Sequence, residues 1–190
     1  SNLKKLDNFL AKNILKIEKI LKNFVKDVYI ILDDKEFLPI EISIKKDHNG
    51  NSISQENLIN PLNVLKNLCQ FSFKDKKIIH MLIENYQIDG KDYSFLPENL
   101  KCNNFSLDIK FICLSKNLIE HYESVLKRYH ILVNQILNAE YIEQFQDQQN
   151  PNIYTTASRI ISGFNNNEIS LVNKTLKSKG FFEKFFDLFS

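Results

Sequence analysis

Alternating apolar and polar residues predict several strands along the chain. Between positions 106 and 113, Leu107, Ile109, Phe111 and Cys113 fall on one face, and polar residues occupy most of the other. This period of two is typical of a strand in a sheet with one buried face. A longer and less regular pattern predicts a strand over residues 78 to 88, and the Asp-Gly pair after it signals a hairpin turn. Short apolar runs predict further strands over residues 28 to 32, 38 to 45 and 131 to 137.

Spacings of three and four predict the helices. The first covers residues 3 to 25 with one apolar stripe, for which a coiled-coil seam is the competing interpretation. A second helix follows Ser54, with Pro61 either at its true start or at a kink. A third follows Ser115, whose hydroxyl is placed to cap it. Shorter helices are predicted over residues 139 to 145 and, weakly, 154 to 162, while residues 48 to 51 and 165 to 167 read as a loop and a linker.

These elements together predict an α+β fold, with a small mixed or antiparallel sheet packed by helices and an amphipathic helix at the C-terminus. Strands and helices are dense up to residue 146, and the run from Asp147 to Pro151 is the clearest break. We therefore expect three parts: an α+β module over residues 1 to 146, a helix and linker over residues 147 to 176, and a tail over residues 177 to 190.

The tail is the sharpest local signal. Its five phenylalanines share one face of a helix and follow closely on two lysines, as a candidate membrane-binding set: Phe181, Phe182, Phe185, Phe186, Phe189, Lys177 and Lys179. About ten residues are too few to cross a bilayer but suffice to lie in its interface. The alternative is that this face packs on the protein's own core or on a neighbouring chain.

Composition limits the other functions. The chain has 190 residues and a formal net charge of +2, with no electrostatic footprint for nucleic acid. Its three cysteines are widely spaced and odd in number, so neither a disulfide framework nor a zinc site is expected, and a reducing cytoplasm fits better. No signal peptide is visible, and the opening Ser-Asn is consistent with a missing natural N-terminus.

No residue pattern indicates catalysis. Glu120 and Glu123 share a helix face but His121 points elsewhere, which disfavours a metal site. His80 lies in a predicted strand and is interpreted as a structural side chain, and Cys113 as a core residue. The acidic group around Asp33 is interpreted as a solvated turn. We therefore expect no enzyme activity, no metal and no cofactor.

Three segments taken together resemble the FtsA family, the actin-like bacterial cell-division proteins. Residues 77 to 145 resemble the family's small inserted α+β subdomain, through His80-Met81-Leu82 before Ile88-Asp89-Gly90, the Leu96-Pro97 step and the strand and helix around Ser115. Residues 28 to 46 and 54 to 70 are similar to the strands and helix that precede it. The Asn-Pro-Asn-Ile-Tyr-Thr-Thr-Ala run from Asn150 is similar to the start of the last body helix, and the tail to the membrane-targeting helix.

The chain also departs from that family. The four glycines are isolated, so the glycine-rich loops that hold nucleotide phosphates in actin-like ATPases are absent from the sequence. The family's chain between the subdomain and the last body helix is missing near residues 146 to 151. The resemblance therefore implies a reduced relative or a fragment, for which direct binding to the tubulin-like FtsZ is doubtful.

The leading hypothesis is a non-catalytic, membrane-associated adaptor in bacterial cell division. The resemblance implies a cytoplasmic location on the inner face of the cell membrane and other division proteins as partners, with the α+β module docking a partner and the tail docking lipid. The alternative hypothesis is a soluble homo-oligomeric scaffold whose tail packs on a neighbouring subunit. A nucleotide-binding actin-like protein is the least favoured hypothesis.

Overall fold

The computed structural model describes residues 2 to 169, in which five helices and six strands follow one another. Their bounds are α1 Asn2–Leu21, β1 Asp27–Leu32, β2 Leu38–Ser52, α2 Gln55–Ser72, β3 Lys76–Ile88, β4 Lys91–Tyr93, β5 Lys101–Ser115, α3 Lys116–Lys127, β6 Leu132–Asn138, α4 Ala139–Glu143 and α5 Ile153–Ile161. The predicted α+β class, with a small sheet packed by helices, is confirmed.

The centre of the fold is β5, which pairs with a strand on each side. The antiparallel sheet has the order β2-β5-β3-β4, and a separate two-stranded sheet pairs β1 with β6 in parallel. As the alternation predicts, the odd-numbered residues of β5 from Leu107 to Cys113 are buried. They form one core with the inner face of α2, while α3, β6 and α4 cover the opposite face of the sheet.

Two β-bulges explain why the pattern of β3 is irregular. The pairing of β3 with β5 shifts register between Ile78 and His80, and again between Ile83 and Asn85. Each extra residue reverses which face the following side chains occupy. As a result, Ile78 and Met81 both reach the core beneath α2, although an unbroken strand would place them on opposite faces.

β2 is longer than its predicted length. The expected loop over residues 48 to 51 lies within β2, where a register shift between Asp47 and Asn51 lets the strand continue to Ser52. The loop prediction is therefore wrong. A bulge that contains polar residues and a glycine has the same sequence pattern as a loop. Pro39, which has no N–H to donate to a ladder, lies near the start of β2, and β2 is an outer strand of the sheet.

Helices α2 and α3 begin where the sequence predicts, whereas α1 ends at Leu21 and not at the predicted residue 25. Ser54 precedes α2, and its backbone N–H donates to Asn57 Oδ1 at 2.7 Å. Pro61 lies inside α2, so the helix proper does not begin there. Ser115 precedes α3 but makes no side-chain capping hydrogen bond, so the predicted role of its hydroxyl is wrong.

The first helix is covered along only part of its apolar stripe. Leu3, Leu6 and Leu10 pack with α3. The stripe continues to the end of α1, where Ile20 is 79% exposed and Leu21 is 59% exposed. Nothing in residues 2 to 169 covers this end, so α1 presents an apolar surface that its own module does not use.

Residues 165 to 169, here called the return segment, fold back onto β3. Ile83 N–H donates to the carbonyl of Asn167 at 2.9 Å, and Ile169 N–H donates to the carbonyl of Met81 at 2.8 Å. Between them, Leu82 and Glu168 form an antiparallel bridge. The prediction of a linker is therefore wrong for these residues, which belong to the folded module.

Candidate functional site

A buried polar network lies where the return segment meets β3. His80 has no exposed surface, and its Nδ1 lies 2.6 Å from Glu168 Oε1. The other carboxylate oxygen, Oε2, accepts from the Tyr141 hydroxyl at 2.7 Å. That hydroxyl in turn accepts from Asn165 Nδ2 at 2.9 Å. The network therefore joins β3, α4 and the return segment.

The proton positions in this network follow from its geometry. His80 Nε2 accepts from the backbone N–H of Asn138 at 3.1 Å, so it carries no proton. The proton is then on Nδ1, which donates to Glu168 as in a histidine–carboxylate pair. Since Nε2 is occupied by the backbone of β6, the ring has no free nitrogen with which to act on a substrate. His80 is a structural side chain, as the sequence indicated.

Asn167 also holds the return segment in place, through two side-chain hydrogen bonds. Asn167 Oδ1 accepts from the Tyr86 hydroxyl at 3.2 Å, and its Nδ2 donates to the carbonyl of Ser94 at 2.9 Å. Ile169 is only 1% exposed and joins the core beneath α2. The segment is thus held by backbone, side-chain and apolar contacts at once.

A cleft of about 910 Å³ continues from the return segment along β3. The first residues of β3, Lys76 to Ile79, form one wall, and β6 from Val133 to Ile136 forms another. Residues of α2 and α3 line its sides, among them Gln70 and Ile119. The return segment, up to Ile169, lines the cleft as well.

The far end of this cleft is rich in lysine. Lys74, Lys76, Lys77 and Lys116 lie around the point where β3 begins and β5 ends, because Lys76 pairs with Ser115. Asp75 is the acidic residue among them and pairs with Lys76 at 3.5 Å. Phe71, which is 71% exposed, lies beneath Lys74 Nζ at 4.8 Å from the ring centre. We call this group the lysine-rich end of the module.

The predicted membrane-binding residues lie outside the part of the chain that the structure describes. This applies to the whole set: Phe181, Phe182, Phe185, Phe186, Phe189, Lys177 and Lys179. The sequence analysis did not identify Glu168, Tyr141 or the lysine-rich end. The Lys-Asp-Lys-Lys run from Lys74 is a sequence signal that could have identified the lysine-rich end. No sequence pattern indicates that Glu168 contacts His80, because the two residues are far apart in the chain.

The remaining candidates are the acidic and histidine residues considered for metal binding and the cysteines of the core. In residues 2 to 169 there is no group of three histidine, cysteine or acidic side chains that could hold a metal ion. Cys69 and Cys113 lie with their Sγ atoms 3.9 Å apart inside the core. Burial, together with the neighbouring Cys69, raises the pKa of Cys113 to about 12, so this thiol stays protonated at neutral pH.

Comparisons with known proteins give no family. No family model matches the chain, and no curated protein matches it either. Within residues 2 to 169, none of the helices combines the length and the apolar character that a membrane crossing requires.

We predict that Tyr86 and Tyr141 make the fold sensitive to alkali. Burial raises the pKa of both phenols above the ordinary value of 10.0, and the Glu168 carboxylate raises that of Tyr141 further. Above about pH 10 the unfolded chain loses these protons while the folded chain keeps them. The free energy of unfolding should therefore be fully retained below pH 10 and fall by about 1.4 kcal/mol per pH unit for each tyrosine above it.

Urea denaturation between pH 8 and 11 measures this slope. Tyr141→Phe should lower stability at every pH, because two hydrogen bonds are lost, but should reduce the slope above pH 10. Tyr154→Phe is the control, since Tyr154 is 77% exposed. An unchanged slope in Tyr141→Phe would contradict the assignment.

Proposed function

We propose that this chain is a non-catalytic adaptor that attaches to an anionic membrane surface and docks a bacterial cell-division partner. The observation that carries the proposal is the direction of the chain at Ile169. The return segment runs antiparallel to β3, so it heads along the cleft towards the lysine-rich end. The phenylalanine tail follows in the sequence after Lys174, Lys177 and Lys179.

The chemistry of the lysine-rich end suits a membrane surface. Lysine side chains near an anionic leaflet contribute about 1 kcal/mol each. Exposed Phe71 adds an apolar group beside them, and each tail phenylalanine that enters the lipid contributes roughly 1.5–3 kcal/mol before ordering costs. Lysines on the module and phenylalanines on the tail would therefore act on the same membrane. The resemblance to FtsA supplies the cellular setting of the proposal, cell division on the inner face of the cell membrane.

Vesicle co-sedimentation of the full chain tests the membrane role. The wild-type chain should pellet with vesicles that contain phosphatidylglycerol and much less with pure phosphatidylcholine. A Phe182→Glu, Phe185→Glu variant should lose this binding. A Lys74→Glu, Lys77→Glu variant should bind at least about thirtyfold more weakly, because it loses two attractive charges and gains two repulsive ones.

The matched control reverses two lysines at the opposite end of the sheet. Lys45 and Lys46 are exposed and pair with Ser106 and Phe105, near the other end of β5. The Lys45→Glu, Lys46→Glu variant has the same net charge as the first lysine variant and should bind nearly as well as the wild type. Equal pelleting of the phenylalanine variant and the wild type would refute the anchor, and equal loss in both lysine variants would refute the orientation.

A second candidate function is a homo-oligomeric scaffold, and the uncovered end of α1 favours it. A contiguous apolar surface of this kind is a common mark of an association site. If α1 mediates self-association, Ile20→Lys, Leu21→Lys should reduce the mass measured by light scattering, while Lys16→Ala, Lys19→Ala should not.

Removing residues 180 to 190 distinguishes self-association through α1 from self-association through the tail. A mass that falls only with the truncation would assign the association to the tail. A monomeric wild-type chain at all concentrations would contradict the scaffold function.

A further inference from the structure

One flank of α2 carries an apolar stripe that the core does not use. Val64, Leu68 and Phe71 are 54%, 49% and 71% exposed. Their spacings of four and three place them along a single line on the helix surface. The buried Leu65 and Cys69 each follow a stripe residue directly, so they lie about 100° further round the helix. The stripe is therefore a second apolar face of α2, distinct from the one that packs on the sheet.

This stripe points away from the cleft. Lys66 and Gln70 line the cleft, and each follows a stripe residue, Val64 or Leu68, by two positions. Two positions correspond to a rotation of about 200° round an α-helix. The stripe and the cleft are therefore on opposite flanks of α2, and the stripe is a surface of its own.

Phe71 joins the stripe to the lysine-rich end. It is the last residue of the stripe, and its ring lies beneath Lys74 Nζ at 4.8 Å from the ring centre. Along α2 the acidic residue is Glu56, in the first turn and two turns before Val64. The stripe thus continues from a basic surface without an intervening carboxylate. This distribution of charge complements an anionic partner, and a lysine beside an apolar ring is suited to a boundary between charged and apolar groups.

The size of the stripe favours lipid over a second protein chain. Three side chains extend over about 10 Å of helix. A stable protein–protein interface takes about 20 to 30 residues from each partner, which is far more than the stripe offers. The interface of a bilayer instead accepts a narrow apolar face, buried about 5 to 10 Å among charged headgroups.

We propose that the stripe of Val64, Leu68 and Phe71 inserts into the interface of an anionic leaflet while the lysine-rich end binds its headgroups. This inference rests on the proposed function and deepens it, because it gives the folded module an apolar contact with lipid that is separate from the tail. With the stripe in the leaflet, α2 lies along the membrane surface. The stripe therefore determines which side of the module faces the membrane.

Tryptophan fluorescence on the full chain tests the insertion. The sequence contains no tryptophan, so a single introduced one reports on its own surroundings. Phe71→Trp places the probe on the stripe. Phe9→Trp is the matched control, because Phe9 is also exposed on a helix, and α1 packs on α3 on the other side of the sheet. On phosphatidylglycerol vesicles with brominated acyl chains, the emission of Phe71→Trp should shift to the blue and fall at least about twofold, and that of Phe9→Trp should not change.

Vesicle binding of two polar variants measures the contribution of the stripe. Val64→Gln, Leu68→Gln leaves the lysines and the tail intact and should bind phosphatidylglycerol vesicles at least about tenfold more weakly, because two apolar side chains no longer enter lipid. Phe9→Gln, Leu15→Gln is the matched control on α1, where both residues are exposed, and should bind like the wild type.

The outcomes separate this inference from the proposed function. If the wild type pellets with vesicles while Phe71→Trp is neither shifted nor quenched, the insertion is refuted and the membrane role stands. Equal binding of the two glutamine variants has the same meaning. If the wild type does not pellet, the membrane role itself is refuted, and the inference with it. An emission of Phe71→Trp that is blue-shifted without vesicles and moves to the red on dilution would assign the stripe to a second copy and overturn the proposal.

Discussion

The hydrogen bond between His80 and Glu168 is the interaction on which the arrangement of this molecule depends. It lies where β3, the end of β6 and the return segment meet, and it is protected from solvent on the His80 side. The Glu168 carboxylate is also held by Tyr141, so removal of either partner leaves a buried polar group without its hydrogen bond. The two sheets and the return segment are thereby fixed relative to one another.

This constraint links the fold to the proposed function. The network fixes the return segment against β3, and the antiparallel pairing sets the direction of this segment at Ile169. That direction leads to the lysine-rich end, where Phe71 is exposed beside Lys74. A catalytic role for the same network is disfavoured by its geometry, because both ring nitrogens of His80 are engaged within the protein. The site positions a segment of chain, and we infer that this is its role.

Local patterns in the sequence were sufficient to predict most elements, because burial on one face imposes a period of two or of 3.6. They failed where the period is interrupted or where the partner is distant. Each bulge of β3 inserts one extra residue, and the register shift of β2 inserts two, which the alternation cannot reveal. Asn165 and Asn167 read as linker residues because their composition is polar, yet each bonds a tyrosine far away in the sequence. The tail remains a prediction from its phenylalanine pattern.

The most direct test of the account is the orientation of the module on a membrane. A fluorescent label on Asn117→Cys would report on the lysine-rich end, and one on Lys46→Cys on the opposite end. The three native cysteines are buried and should not compete for the label. On phosphatidylglycerol vesicles that contain spin-labelled lipid, the account predicts strong quenching at position 117 and little at position 46. Equal quenching at the two positions, or stronger quenching at position 46, would contradict it.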